Sequence, residues 1–79
     1  MKAALVDLPL GQQAKIVSIH CERRLSRRLM EMGLLPGTPV RVTRVAPLGD
    51  PIELRVRNYA LSVRRAEAAK IAVSTEGAA

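Results

Sequence analysis

Four side chains of this sequence are of types that could bind a metal ion or act in catalysis. His20 and Cys21 are adjacent and carry an imidazole and a thiol, while Asp50 and Glu53 supply carboxylates further along the chain. Imidazole and thiolate are preferred ligands of zinc and other transition metals. Adjacent residues on a strand point to opposite faces, however, and the chain has no second histidine or cysteine. The pattern argues against a tight zinc site. It leaves the four side chains as weak candidates for a loosely held iron or zinc ion, with no cofactor firmly implied.

The sequence lacks the combinations of residues that enzymatic catalysis requires. A catalytic thiol needs a base and a group that orients the base, and no motif supplies that third group for Cys21 and His20. The glycine-containing segment 33–37 lacks the lysine and the serine or threonine of a phosphate-binding loop. We therefore predict that the protein is not an enzyme.

Arginines are concentrated near the start of a segment with helical periodicity, at Arg23, Arg24, Arg27 and Arg28. Cations there oppose the helix dipole, which favours acidic residues at that end. One interpretation is a solvated helix face. The other is a docking surface for an acidic patch on a partner, since the planar guanidinium pairs with carboxylates through two hydrogen bonds.

Apolar side chains next to these arginines extend the predicted docking surface. Met30, Leu34 and Leu35 lie off the main apolar stripe, around the helix end and the turn after it. Burial in the core is the competing interpretation for Met30 and Leu34. Exposed together, the three would form an apolar patch rimmed by arginine, as at protein contact sites. The predicted partner-binding residues are Arg24, Arg27, Arg28, Met30, Leu34, Leu35, Leu48 and Asp50.

The elements that position these residues are short strands and one helix. Valines at 40, 42 and 45 precede the Pro/Gly-rich segment 46–51, and Ile52, Leu54 and Val56 follow it in alternation with charged residues. This pattern predicts a β-hairpin with one buried face. Leu25, Leu29 and Met32 are spaced i, i+4 and i+7, which predicts an α-helix over about 22–32 that ends at Gly33.

The remaining segments complete a small β domain. We predict a loop over 5–11, further strands near 14–19, 61–64 and 71–73, a turn at Asn58 and Tyr59, and a short helical turn near 65–69. Short strands and a brief chain favour a mainly β fold, an SH3-like antiparallel β-barrel of about five strands with one inserted α-helix. We expect this domain to span 1–75 and a flexible tail to span 76–79.

Composition restricts the partners. The chain has 79 residues and a formal net charge of +6, which favours acidic partners. Tyr59 is the only aromatic residue, so the rings that stack on nucleic-acid bases or line proline-peptide grooves are missing. No apolar run approaches the about 20 residues needed to cross a bilayer, so we expect no direct membrane insertion. A single cysteine fits a reducing cytoplasm.

Three motifs in order resemble the ferrous iron transport protein A (FeoA) family. Residues 28–37 (RLMEMGLLPG) resemble its helix end and following turn, residues 45–52 (VAPLGDPI) resemble its PLGDP loop, and residues 61–68 (LSVRRAEA) resemble a later segment. The opening residues 5–11 (LVDLPLG) are similar to the usual lead-in of the family. Together these segments extend over nearly the whole chain.

The resemblance implies an SH3-like barrel that acts as a cytoplasmic accessory and regulatory protein of bacterial ferrous iron uptake. It implies docking on the cytoplasmic GTP-binding region of the membrane permease FeoB, hence a location peripheral to the inner membrane, and it admits weak transition-metal binding. Two alternatives stay open. One is a basic nucleic-acid-binding barrel, supported by the pairs Arg55/Arg57 and Arg64/Arg65 although the missing aromatics lead us to expect no nucleic acid. The other is a metal-responsive module akin to the C-terminal domain of metal-dependent repressors. Oligomeric state is left undetermined.

Overall fold

The computed structural model describes residues 2–76 of the chain. Of the predicted tail over 76–79, only Glu76 falls within the described residues. The elements, in chain order, are β1 (Lys2–Ala4), a 3-10 helix (Leu5–Asp7), β2 (Gln13–Ile19), α1 (Arg23–Glu31), β3 (Pro39–Val45), β4 (Ile52–Val56), β5 (Tyr59–Val63), α2 (Arg65–Ala68) and β6 (Ile71–Ser74). Neither α-helix in this range has the length and apolar character needed to cross a membrane.

The strands form one antiparallel sheet in the order β1-β6-β2-β3-β4-β5. The pairing shifts register between Ile16 and Ser18 against β6, and between Val42 and Arg44 against β4. Such bulges bend a strand and increase its twist, which lets a sheet of short strands wrap around a core. The predicted mainly β, SH3-like class is confirmed. The described residues form six strands rather than about five, because Lys2–Ala4 pairs with the far end of the chain at Ser74, Val73 and Ala72.

The core is aliphatic and is built from alternate residues of the strands. Val40 and Val42 of β3 and Leu54 and Val56 of β4 are buried, while Arg41 and Arg55 between them are exposed. This alternation follows from the two-residue period of a strand. Leu29 of α1 joins the same buried cluster, with Leu25 and Met32 packed partly against it, so the predicted helical stripe faces the core.

Helix α1 ends in a Schellman motif, which directs the chain back toward the core. Gly33 has a φ of 104°, a left-handed conformation that glycine adopts without steric cost. Its N–H donates to the carbonyl of Met30 (3.0 Å), and the N–H of Leu34 donates to the carbonyl of Leu29 (3.1 Å). These are the two hydrogen bonds that define the motif, in which an apolar residue after the glycine packs on the last helical turn.

The turn between β4 and β5 is one residue earlier than the sequence suggested. Val56 pairs with Tyr59, which places Arg57 and Asn58 in the turn and makes Tyr59 the first residue of β5. Our prediction of a turn at Asn58 and Tyr59 was therefore wrong. The left-handed residue is Arg57, with a φ of 54°, although asparagine tolerates that region better.

Candidate functional site

The predicted arginine cluster lies on the exposed face of α1. Arg23, Arg24, Arg27 and Arg28 are all exposed, with Arg23 and Arg27 opposite the buried stripe and Arg24 and Arg28 toward one side of it. Arg23, Arg24 and Arg27 line a broad, open depression of about 600 Å³ together with Glu22. Glu22 occupies the N-cap position, but its side chain makes no capping hydrogen bond. The start of α1 is therefore a strongly basic surface with room for a partner group.

Exposed apolar side chains follow the arginines at the end of α1. Met30 is 40% exposed and Leu35, two residues after the C-terminal glycine, is 46% exposed. Met30 lies one turn after Arg27, so the two side chains are neighbours on the helix surface. The end of α1 thus places exposed apolar side chains next to the exposed Arg27.

Tyr59 adds an aromatic ring that we did not include among the site residues. Its hydroxyl lies so close to Gly33 that a Cβ at residue 33 would overlap it, and the side chain remains 41% exposed. The signal available in the sequence was that Tyr59 is the only aromatic residue of the chain. We call Arg24, Arg27, Arg28, Met30, Leu35 and Tyr59 the helix-end surface.

Leu34 does not belong to this surface, and its assignment to partner binding was wrong. The side chain is fully buried, with 0% exposure, in the cluster that contains Leu29. The cause is the Schellman motif, which turns the residue after Gly33 inward and leaves Leu35 outside. Leu34 therefore stabilises the fold, and only Leu35 of the pair can contact a partner.

The loop between β3 and β4 presents Leu48 but lies away from the helix end. Leu48 is 97% exposed, in a turn closed by a hydrogen bond from the N–H of Gly49 to the carbonyl of Ala46 (2.7 Å). This loop adjoins Ile52, whereas Tyr59 pairs with Val56 at the other end of β4. Ile52 and Val56 are roughly 13 Å apart, at about 3.3 Å per strand residue. The structure therefore does not bring Leu48 together with the helix-end surface.

Asp50, in the same loop, has a structural role in the fold. Its Oδ1 accepts a hydrogen bond from the backbone N–H of Arg65 (3.0 Å), the first residue of α2. The N-cap residue of α2 is Arg64, whose side chain has no acceptor for that N–H. Asp50 thus supplies from a distant loop the carboxylate that usually comes from the N-cap residue itself.

The metal-ligand candidates are not assembled into a site. His20 is exposed, with its Nε2 2.7 Å from the hydroxyl of Ser18. Cys21 is partly buried, and its thiol donates to the carbonyl of Glu67 (3.8 Å). Burial raises the pKa of the Cys21 thiol, the negative charge of Glu67 raises it further, and Lys70 lowers it in part. A thiol held in its neutral form is a poor metal ligand.

The two carboxylate candidates have partners elsewhere. Asp50 accepts from the backbone of Arg65, and Glu53 Oε1 accepts from the hydroxyl of Thr43 (3.4 Å). Residues 2–76 contain no group of three or more histidine, cysteine, aspartate or glutamate side chains placed to hold a metal ion. The four candidates therefore do not fit a metal centre.

Residues 3–75 match the family described as the FeoA domain. A curated relative, the "Fe(2+) transport protein A/Fe(2+) transporter FeoB fusion protein" of Porphyromonas gingivalis, is 41% identical over 69 residues. That match covers 87% of this chain and 8% of the relative, so the chain spans only a small part of the relative's length.

Two solved structures share both sequence and fold with the chain. The FeoA protein of Chlorobium tepidum is 42% identical, with a TM-score of 0.87, and the match covers 90% of this chain and 68% of that one. The FeoA of Stenotrophomonas maltophilia, solved in complex with zinc and described as a prokaryotic SH3 domain protein, is 31% identical, with a TM-score of 0.78. That match covers 90% of this chain and 88% of the other.

Proposed function

Since the chain belongs to the FeoA family, we propose that it is an accessory protein of bacterial ferrous iron uptake that docks on the permease FeoB. In this proposal it is cytoplasmic, peripheral to the inner membrane and without enzymatic activity, and it contacts the cytoplasmic GTP-binding region of FeoB. The relative in which transport protein A and FeoB form one chain supports the choice of partner, because fusion keeps two interacting proteins at high effective concentration.

The observation that carries this proposal is the helix-end surface. Met30, Leu35 and Tyr59 are each about two-fifths exposed in a protein whose core takes most of its other large apolar side chains. Tyrosine is favoured at contact sites because its ring is apolar and its hydroxyl forms a hydrogen bond. Arg27 lies one turn before Met30 on the same face of α1, and the exposed Arg24 and Arg28 on the neighbouring face extend the basic rim of the proposed interface.

The two parts of the surface have different roles in docking. The apolar centre supplies affinity, since excluding water from it is favourable. The arginines accelerate encounter with an acidic surface and fix its orientation more than they add affinity. Regulation then follows if the helix-end surface contacts one conformation of FeoB better than another, because a ligand shifts an equilibrium only by its difference in affinity for the two states.

No step of this function is assigned to a bound metal. The zinc belongs to the structure of the Stenotrophomonas maltophilia protein, and the histidine, cysteine and carboxylate side chains within residues 2–76 do not form a metal centre. Iron is the cargo of the uptake system in this proposal.

The test is binding to the isolated cytoplasmic region of FeoB from the same bacterium, measured by biolayer interferometry. Arg28→Glu removes one positive charge of the rim and introduces a negative one, so we expect a several-fold slower association and a weaker salt dependence. Arg44→Glu is the matched control, since Arg44 is exposed on β3 and lies outside the helix-end surface. Circular dichroism verifies that both variants fold. Equal binding by a folded Arg28→Glu protein and the wild type would refute docking through this surface.

A further inference from the structure

Two arginines face each other across the outer surface of the sheet without an acidic neighbour between them. Arg41 of β3 and Arg55 of β4 are directly paired in register, and both are exposed. Like charges directly opposite each other on neighbouring strands destabilise the pair. Further along the same two strands, Arg44 is paired with Glu53, so at that position the register places opposite charges next to each other. The Arg41–Arg55 pair is therefore an unfavourable arrangement that the fold by itself does not explain.

These arginines line a small cleft that a third arginine completes. The cleft has a volume of about 140 Å³, and its lining residues are Gln13, Pro39, Val40, Arg41, Arg55 and Arg57. Gln13 of β2 is paired with Arg41, so the two side chains lie on the same face of the sheet. None of the described residues that line the cleft is acidic. The residues that line the cleft thus include three arginines and one glutamine, and none of them carries a negative charge.

The third arginine is held in an uncommon backbone conformation. Arg57 occupies the β4–β5 turn with a φ of 54°, in the left-handed region that side chains other than glycine, asparagine and aspartate rarely adopt. Asn58, the next residue, is of a type that tolerates this region better. Backbone strain of this kind is found preferentially at functional sites. Here the turn places a guanidinium at the edge of the cleft.

We propose that this cleft binds a phosphate monoester group. Guanidinium groups pair with phosphate through two parallel, charge-assisted hydrogen bonds, and a phosphate monoester brings a charge of about −1.5 to −2 to a site with three positive charges. The cleft volume of about 140 Å³ is enough for one phosphoryl group. The site lies on β2, β3, β4 and the turn, and none of its residues belongs to the helix-end surface.

The first test is an NMR titration with inorganic phosphate against the ¹⁵N-labelled protein, with chloride adjusted to keep the ionic strength constant. We expect phosphate to shift the guanidinium signals of Arg41, Arg55 and Arg57 with a saturable dependence. Arg55→Gln should weaken phosphate binding about 10-fold or more, the usual effect of losing a hydrogen bond to a charged group. Arg44→Gln is the control, with the same change of net charge on the same sheet, and should change the affinity less than about 2-fold.

The second test is thermal unfolding of the same variants. The pattern of Tm changes expected for the cleft differs from the one that non-specific attraction of phosphate to a basic surface would give. In phosphate-free buffer Arg55→Gln should raise the Tm, because it removes the repulsion across the strands. Arg44→Gln should not raise the Tm, because it removes a favourable pairing with Glu53. At a phosphate concentration near the Kd of the wild type, phosphate should raise the Tm of the wild type and of Arg44→Gln, and should leave that of Arg55→Gln nearly unchanged.

A third measurement distinguishes free phosphate from a lipid headgroup. Vesicles of phosphatidylcholine containing phosphatidic acid, whose headgroup is a phosphate monoester, are compared with pure phosphatidylcholine in a flotation assay. The membrane is the source of the phosphate monoester if the wild type binds the vesicles with phosphatidic acid, inorganic phosphate competes with that binding, and Arg55→Gln does not bind them. If the protein binds inorganic phosphate but not these vesicles, the ligand is a soluble phosphate group. Equal titrations for the wild type and Arg55→Gln, or shifts spread uniformly over all exposed arginines, would overturn the proposal.

Discussion

Replacing Leu34 and Leu35 separately by alanine tests the assignment of one to the core and the other to the surface. The two substitutions delete the same atoms from adjacent residues, so only the environment differs. Leu34 is fully buried, and Leu→Ala at such positions costs about 3 kcal/mol, within a range of about 2–5. A domain of this size has a total stability of about 4–12 kcal/mol. Leu34→Ala should therefore remove a large part of the folding free energy.

The expected shift is large enough for a simple measurement. For a domain of this length about 1 kcal/mol corresponds to about 4–8 °C, so Leu34→Ala should lower the Tm by about 12–24 °C. Leu35 is 46% exposed, and its replacement should change the stability by less than about 0.5 kcal/mol. Circular dichroism melts and urea titrations of both variants measure these differences. The unfolding m-value should be nearly unchanged in each.

Binding to FeoB should show the opposite ranking. Measured at a temperature where both variants are folded, Leu35→Ala should weaken binding, because it removes apolar area from the helix-end surface. Leu34→Ala should bind like the wild type once the folded fraction is taken into account. Equal losses of stability in the two variants, or a larger loss for Leu35→Ala, would refute the inward turn of the chain after Gly33.

Three further predictions concern single contacts. Gly33→Ala should destabilise the folded protein by at least about 1–2 kcal/mol, because residue 33 has a left-handed backbone conformation and its Cβ would displace the Tyr59 side chain. Urea unfolding measures the loss of stability and the fluorescence of the single tyrosine measures the displacement, and an unchanged unfolding midpoint would contradict the prediction. Asp50→Ala should lower the free energy of unfolding by about 1 kcal/mol, because it removes the acceptor for the N–H of Arg65. Asp50→Asn keeps an acceptor oxygen and should lower it less, and equal losses in urea unfolding would argue against capping. Alkylation of Cys21 should be slower at pH 8 than that of an unfolded control, because burial raises the pKa of the thiol above its ordinary value of 9.0, and alkylation as fast as in the control would contradict this. Since the folded state holds the thiol proton more tightly than the unfolded state, the contribution of Cys21 to stability is present below pH 9 and is lost as the pH rises through the raised pKa.

Local patterns in the sequence predicted most of the fold. The helix expected over 22–32 is observed at Arg23–Glu31, and the helical turn expected near 65–69 is observed at Arg65–Ala68. Both depend on neighbouring residues, such as the apolar spacing of α1 and the glycine that ends it. Strand β1 was missed because its three residues show no alternation and its partner, β6, lies at the other end of the chain. Long-range pairing of this kind leaves no local signal.

The proposed docking surface could be predicted only in part from the sequence. Arg27, Arg28 and Met30 follow from the helical period, which fixes the face that each residue occupies. Leu34 could not be distinguished from Leu35 by period, because the helix has ended and the direction of each side chain depends on the geometry of the Schellman motif. Tyr59 reaches the same surface from another hairpin, a contact that depends on how the elements pack.

The most direct test of the account is an NMR titration of the ¹⁵N-labelled protein with the unlabelled cytoplasmic region of FeoB. We predict that the largest changes in chemical shift will fall on α1 from Arg24 to Met30, on Leu35 and on Tyr59, while the loop around Leu48 changes little. Changes centred on that loop or on the Arg41–Arg55 face, with α1 unaffected, would contradict docking through the helix-end surface.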